Sequence, residues 1–580
     1  MVDPSPPAAP DDAVERTRSA LTRMGAPEQL AAPLVAVLGP DADARITADP
    51  WRLLDLRSVT PRQADYCART LLGEAARPDD PRRVRALVAH LLRRASRDGH
   101  TAVEYGRMAR ALRGLGVAAA DAALQAAAED DRILLVEDLP EEDDEEFDGD
   151  LPEPPAPERF LALAALGEAE RRLAAELVRL TASEPVMDSA TATETVLAAA
   201  GKLGRDPAPE TVAALVTVAL RGVAVLLCGP AAAGTGVEAI RYAAAIAADS
   251  QVGMALVAPS ASGAAALNRA LADTGVRART VAALLADPAV EAGLVVVDQA
   301  TAVDTETFAA LAAACPAEAH LVLLADPGQL PSAGPGQVVA DLVASRTAAV
   351  AVLPDAPDAG PREALAAGVG EGRLPDRVDL PGREVVFVPA ASAGEAAHRT
   401  LQLVTDSIPR TFGLEPDQVQ IVTAAPGGEA GAAALNAACK ARFNPGPGRV
   451  AGLDVGDRVL LAGRGAGYAP GDTGVLRGHD GSGAAVELAD GTTVAVAHPA
   501  HLRPGWAVPL AAALGGAWPA AVAVFTPDAA LSRPALRTAL TRGQRHVSVV
   551  NAAGAELAAA VRSTSAPPRS TRLARLLREG

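Results

Sequence analysis

A chain of 580 residues with net charge −18 is long enough for roughly three to five domains with sizeable cores, and its charge balance does not suggest bulk affinity for nucleic acid, although one acidic block supplies much of the excess. The Pro-rich, acidic start Met-Val-Asp-Pro-Ser-Pro-Pro lacks a signal peptide, and no window reaches the ~18 apolar residues of a membrane span, so a cytoplasmic protein with no membrane partner is expected. Aromatics make up only 2% of the chain, so its cores must be built from Ala, Val and Leu.

Residues 1–12 read as a disordered tail, and residues 13–135 as a helical region broken at Gly25-Ala26-Pro27, Gly39-Pro40 and Asp79-Asp80-Pro81. Residues 136–158 form an acidic, Pro-rich linker around Glu137–Asp148, since like charges repel and stay solvated. Helices are expected to resume at Glu158–Thr181, followed by an α/β region at about Thr211 to Ser345. A weaker α/β region begins near Val385–Val388 and includes Gln420–Thr423. From Gly452 to Leu502, short β-like pieces separated by Gly/Asp turns suggest a small barrel, and alternation returns at Val522–Phe525 and Val547–Val550. The four cysteines (Cys67, Cys228, Cys315, Cys439) have no metal-like spacing and read as reduced structural thiols.

The α/β region carries the chemistry. Apolar strands at Val225–Leu227, Leu294–Val297 and Leu321–Leu324 run into Gly229-Pro230-Ala231-Ala232-Ala233-Gly234-Thr235-Gly236, Asp298-Gln299 and Ala325-Asp326-Pro327-Gly328-Gln329. Three strands with loops at their carboxyl ends describe the phosphate-binding edge of a parallel sheet. In such a loop, backbone N–H groups and a helix N-terminus hold phosphate, a Lys bridges two phosphates, and a Ser/Thr holds Mg²⁺. The only lysines here are Lys202 and Lys440, outside the loop; the Lys position falls on Gly234, Thr235 or Val237, and one register puts Glu238 near the Mg²⁺-ligand position. Gly229, Gly234 and Gly236 are expected to keep the turn flexible.

These landmarks resemble the RecD/TraA-type branch of superfamily 1 DNA helicases. The most specific match is Leu323-Leu324-Ala325-Asp326-Pro327-Gly328-Gln329-Leu330-Pro331-Ser332-Ala333-Gly334-Pro335-Gly336, which looks like the family's third motif. Ala258-Pro259-Ser260, Val295–Val303 and Thr538-Ala539-Leu540-Thr541-Arg542 match further motifs. Asp49-Pro50-Trp51-Arg52-Leu53 and Asp80–Arg85 resemble the helix-hairpin-helix region of longer RecD-like proteins, and Asp454–Val459 with Gly471–Gly474 resembles their SH3-like insert.

The resemblance implies an α/β fold: two RecA-like P-loop NTPase domains with parallel sheets, an N-terminal all-α helix-hairpin-helix region and a small SH3-like β-barrel insert. The first RecA-like domain would span 159–345 and the second 346–450 and 506–563, with the insert at 451–505 and a tail at 564–580. It implies ATP and Mg²⁺ as cofactors, bound by Gly229, Pro230, Gly234, Thr235 and Gly236, with Asp298 as the metal ligand. Gln299 stands where the family has its general-base Glu, Gln329 matches the γ-phosphate sensor, and Arg542 matches the arginine finger. An amide cannot take a proton, and losing a general base lowers rates by ~10²–10⁴. The family's Phe-Arg-Gln element falls on Ala351–Ala356, its adenine-reading Gln on Thr211, its His-Lys-Ser-Gln-Gly box on Leu510–Gly515, and its DNA-clasping hairpin glycines on Ser58-Val59-Thr60. The leading reading is a pseudo-helicase, short of ATP hydrolysis, that binds DNA (single-stranded or a junction) or protein. A second is a divergent, active helicase in DNA repair or recombination that borrows a cation from Arg542 or Arg241. A third is a scaffold that docks a protein partner through its acidic linker.

Overall fold

The computed structural model describes residues 10–138, 157–287, 290–375, 378, 380–480 and 483–580. Two compact units emerge: Met1–Ala169 with Arg569–Thr571, and Glu170–Pro568 with Arg572–Gly580.

The first unit is mostly helical because its turn residues double as caps. Asp80 accepts from the Arg82 N–H at the start of Pro81–Arg97, and Thr60 forms a capping box with Gln63 at the start of Pro61–Leu72. Prolines at first-turn positions give up no needed donor. The helices enclose Leu21, Leu34, Trp51, Leu87 and Leu112. Trp51 donates to Asp65 at 2.9 Å, and Asp65 also takes the buried Arg83 guanidinium at 2.7 and 2.8 Å.

Three expectations need correction here. Glu158–Leu163 is a strand, not the start of a helix: it lies between Ala102–Glu104 and Ile133–Asp138, antiparallel to both. Its Leu and Ala residues favour a helix locally, but pairing on two edges overrides that preference. Glu137 and Asp138 close the strand Ile133–Asp138 rather than opening a linker; the rest of the acidic segment lies outside the described residues. The tails shrink as well. Residues 10–12 begin the helix Pro10–Arg23, and Leu573–Glu579 is a helix that buries Leu573 and Leu577.

The second unit holds two parallel sheets and one antiparallel sheet. The first parallel sheet runs in the order Ala278–Thr280, Gly253–Ala258, Ala292–Val297, His320–Ala325, Val223–Leu227, Ala349–Val352. Its central strands are continuous runs of Val, Leu and Ala, as expected of strands covered on both faces. The second sheet runs in the order Val385–Pro389, Gly543–Asn551, Trp518–Phe525, Val419–Thr423, Ala507–Pro509, also parallel throughout. These are the sheets of two RecA-like lobes. Residues 458–504 contribute a five-stranded antiparallel sheet with its own core of Val459, Leu461, Leu476, Val486 and Leu502. No helix among the described residues is long and apolar enough to cross a membrane.

Candidate functional site

The order of the first sheet places Val223–Leu227 beside His320–Ala325, so their carboxyl ends open at the point where the strand order reverses, the usual crevice of a parallel α/β sheet. A cavity of about 240 Å³ lies there, between the two lobes. Gly229, Pro230, Gly236, Asp298, Gln299 and Gln329 line it from one side, and Arg362, Glu363, Gly515, Thr541 and Arg542 from the other. It falls below the ~300–1,000 Å³ usual for a bound small molecule.

The phosphate loop is not an open cradle. Gly229 is extended and starts a single 3₁₀ turn, Pro230–Ala232, in which the Ala232 N–H bonds the Gly229 carbonyl at 3.0 Å and the Ala233 N–H bonds that of Pro230. The helix Ala233–Asp249 begins at once. Gly234, Thr235 and Gly236 are therefore helical, which corrects their expected place in a flexible turn; Gly234 and Thr235 do not line the cavity. None of the three glycines has a positive φ. Gly236 is small for packing reasons: a Cβ there would lie 2.9 Å from Cys228 Sγ. Thr235 is only 6% exposed.

Asp298 follows the strand Ala292–Val297. Desolvation pushes its carboxyl up to about 6, against the Gln299 N–H and the Arg542 charge. Gln299 takes the left-handed conformation at φ 52°, uncommon for a residue with a side chain. Its Oε1 accepts from Gln329 Nε2 at 3.2 Å, and Gln329 Oε1 accepts from Arg542 Nη2 at 2.9 Å. Three of the expected site residues, Gln299, Gln329 and Arg542, thus form one hydrogen-bonded chain across the cavity.

Arg542 is 2% exposed, and all five of its donors have partners within the protein. Nε bonds the Thr538 carbonyl, Nη1 the carbonyls of Ala513 and Gly516, and Nη2 Gln329 and Thr541 Oγ1. Burial lowers the guanidinium to about 10, with Asp326 and Asp298 opposing the shift. Ala513 and Gly516 thus supply backbone acceptors for this arginine. Arg362 is similarly engaged, by Glu363 and the Gly543 carbonyl.

Several residues weighed for the site lie elsewhere. Arg241 binds both oxygens of Asp273 at 2.8 Å, and Glu238 pairs with Arg205 at 3.4 Å; neither lines the cavity. Lys202 is exposed at the end of the helix Ser189–Lys202, and Lys440 is held by Asp454 and Asp457. The donor set does not suit Mg²⁺, which needs several hard oxygen ligands. Of the carboxylates lining the cavity, Asp326 is taken by Arg537 and Glu363 by Arg362, and Asp298 has a raised proton affinity. No cluster of three metal-ligating side chains occurs among the described residues.

Sequence reasoning missed Arg362, Glu363 and Arg537. Arg537, in the helix Arg533–Leu540, bonds Asp326 across the lobes at 3.0 and 2.5 Å. Its one signal was being a lone cation inside the Ala/Leu run that leads to Arg542.

A family model described as the ATP-dependent RecD2 DNA helicase HHH domain matches residues 11–102, and one described as an AAA domain matches residues 210–355. Among solved structures, Pif1 helicase from Bacteroides in complex with ADP-AlF3 and ssDNA is 14% identical at a TM-score of 0.34, covering 56% of this chain and 88% of that one. Bacteroides Pif1 bound to ssDNA is 16% identical at 0.33, covering 56% and 88%. Pif1 helicase from Candida albicans is 14% identical at 0.28, covering 57% and 91%. Superpositions this loose carry no argument, and the weight rests on the two family models.

Proposed function

Because the chain is RecD-like, with a RecD2-type helix-hairpin-helix domain and an AAA domain, we propose that it is a helicase-fold protein that binds DNA without hydrolysing ATP. The AAA match is what brings nucleotide to this cleft at all. One observation carries the reading: the cations that line the cavity, Arg362 and Arg542, are both already engaged by protein acceptors. A triphosphate entering there would have to break those bonds, and each charge-assisted bond contributes ~1.5–3 kcal/mol. Gln299 adds to the deficit, since its amide has no proton affinity and its oxygen is already taken by Gln329.

DNA is the partner the helix-hairpin-helix match favours, and the geometry narrows which arginines would meet it. Arg82, Arg83 and Arg93 hold Asp80, Asp65 and Asp55, whereas Arg94 and Arg97 are exposed on the last turns of Pro81–Arg97. The test pairs phosphate release, with and without single-stranded DNA and Mg²⁺, with anisotropy of a labelled fork. We expect no turnover, fork affinity unchanged by ATP, and a salt slope shallower by about 1.4–1.8 in R94Q/R97Q, since each lost phosphate contact removes roughly 0.7–0.9. Mg²⁺-dependent turnover stimulated by DNA would end the proposal. Absence of fork binding at low salt would remove DNA as the partner.

A further inference from the structure

The Arg537 guanidinium sits among glycines. A Cβ on Gly328 would lie 2.6 Å from its Cζ, one on Gly370 1.8 Å from Nη1, and one on Gly229 3.4 Å from Nη2. None of these glycines has a positive φ, so the backbone does not require them. Gly370 is the last residue of the helix Pro361–Gly370. What the three positions share is room for one side chain.

That side chain joins the lobes. Arg537 belongs to the second lobe and Asp326 to the loop after the strand His320–Ala325 of the first; their side chains are 12% and 2% exposed. The Gly328 N–H also bonds Asp326, at 3.0 Å, and the Leu330 N–H crosses to Thr538 Oγ1 at 2.9 Å. Two carboxylates, Asp298 and Asp326, thus face two guanidiniums, Arg537 and Arg542, and these four charges balance one another without a ligand. In a nucleotide-driven pair of lobes, an anion held between them supplies the cross-link. Here a cation from one lobe meets a carboxylate of the other, beside the first glycine of the phosphate loop.

We propose that the Arg537–Asp326 pair, seated in the slot made by Gly328 and Gly370, replaces nucleotide as the cross-link of the two lobes and holds the cleft closed with no ligand in it. The proposal rests on the reading that this cleft does not turn over ATP. The test is pulsed electron spin resonance on the full chain, with spin labels at the exposed positions Lys202 and Asp406, one on each lobe. Wild type should give one short, narrow distance distribution, unchanged by Mg²⁺-ATP. Arg537→Gln removes the charge, and Gly370→Ala keeps it but blocks its seat; both should lose the narrow peak and shift to longer distances. If both variants are folded by circular dichroism and keep the wild-type distribution, the cross-link is refuted. Should Arg537→Gln fail to fold, Gly370→Ala decides alone. Phosphate release by wild type would overturn the parent reading, whereas unshifted distances with no phosphate release would overturn only this one.

Discussion

Replacing Arg542 by Ala separates a structural arginine from an arginine finger. Five charge-assisted hydrogen bonds disappear, which at ~1.5–3 kcal/mol each is roughly 7–15 kcal/mol gross. Such terms are not additive, because water enters the space and Thr541 Oγ1 can rotate to another acceptor. Relief of burying the charge opposes the loss: a guanidinium lowered from 12.5 to about 10 corresponds to about 3 kcal/mol at 1.36 per pH unit. A net destabilisation of about 3–5 kcal/mol follows, the range found when one partner of a buried charged set is removed. Urea unfolding followed by the fluorescence of Trp506 and Trp518, in a Trp51→Phe background, should move its midpoint down by about 1 M or more. Arg542→Lys should fall between, since an ammonium has three donors where the guanidinium has five. A finger free to meet phosphate would behave otherwise, with stability changed by less than about 0.5 kcal/mol as at ordinary surface sites. An unchanged midpoint in Arg542→Ala would therefore refute the reasoning.

Two further outcomes follow from the same geometry. Asp472 is 1% exposed, accepts from the Ala261 and Ala469 N–H groups, and has its carboxyl pushed from 3.8 to about 6 by desolvation. A carboxyl raised on folding favours the folded state while protonated, so its contribution is present at low pH and is lost between about 3.8 and 6, by about 3 kcal/mol. The stability of wild type relative to Asp472→Asn should therefore fall by that amount from pH 4 to pH 7; parallel pH profiles would contradict it. Gly236→Ala should destabilise by about 1–3 kcal/mol through contact with Cys228 Sγ, despite the better helix propensity of Ala. Adding Cys228→Ala should recover most of the loss in thermal melts, and no recovery would place the strain elsewhere.

The fold was legible wherever a pattern is local. Continuous apolar runs announced the strands ending at Leu227, Val297 and Ala325, and the loops that follow them brought Asp298, Gln299 and Gln329 to one cavity. The strand Glu158–Leu163 was hidden because its composition suits a helix and only its two neighbours make it extended. The partners of Arg542 were hidden for a different reason. Ala513 and Gly516, 29 and 26 residues earlier, bond through backbone carbonyls that every residue carries, so no side chain marked them.

By itself, then, the sequence determined which chemical groups this cleft lacks: no lysine in the loop and no carboxylate at position 299. Those absences are facts of composition and need no coordinates. What the remaining charges do was decided only by tertiary structure. Whether an arginine meets a ligand or a carbonyl depends on which distant backbone lies within about 3 Å of it, and a hydrogen bond is made or lost over less than an ångström. Arg537 finds Asp326 and Gly328 only when the two lobes come together, whereas Arg542 takes four of its five bonds from its own lobe and reaches the other through Gln329 alone.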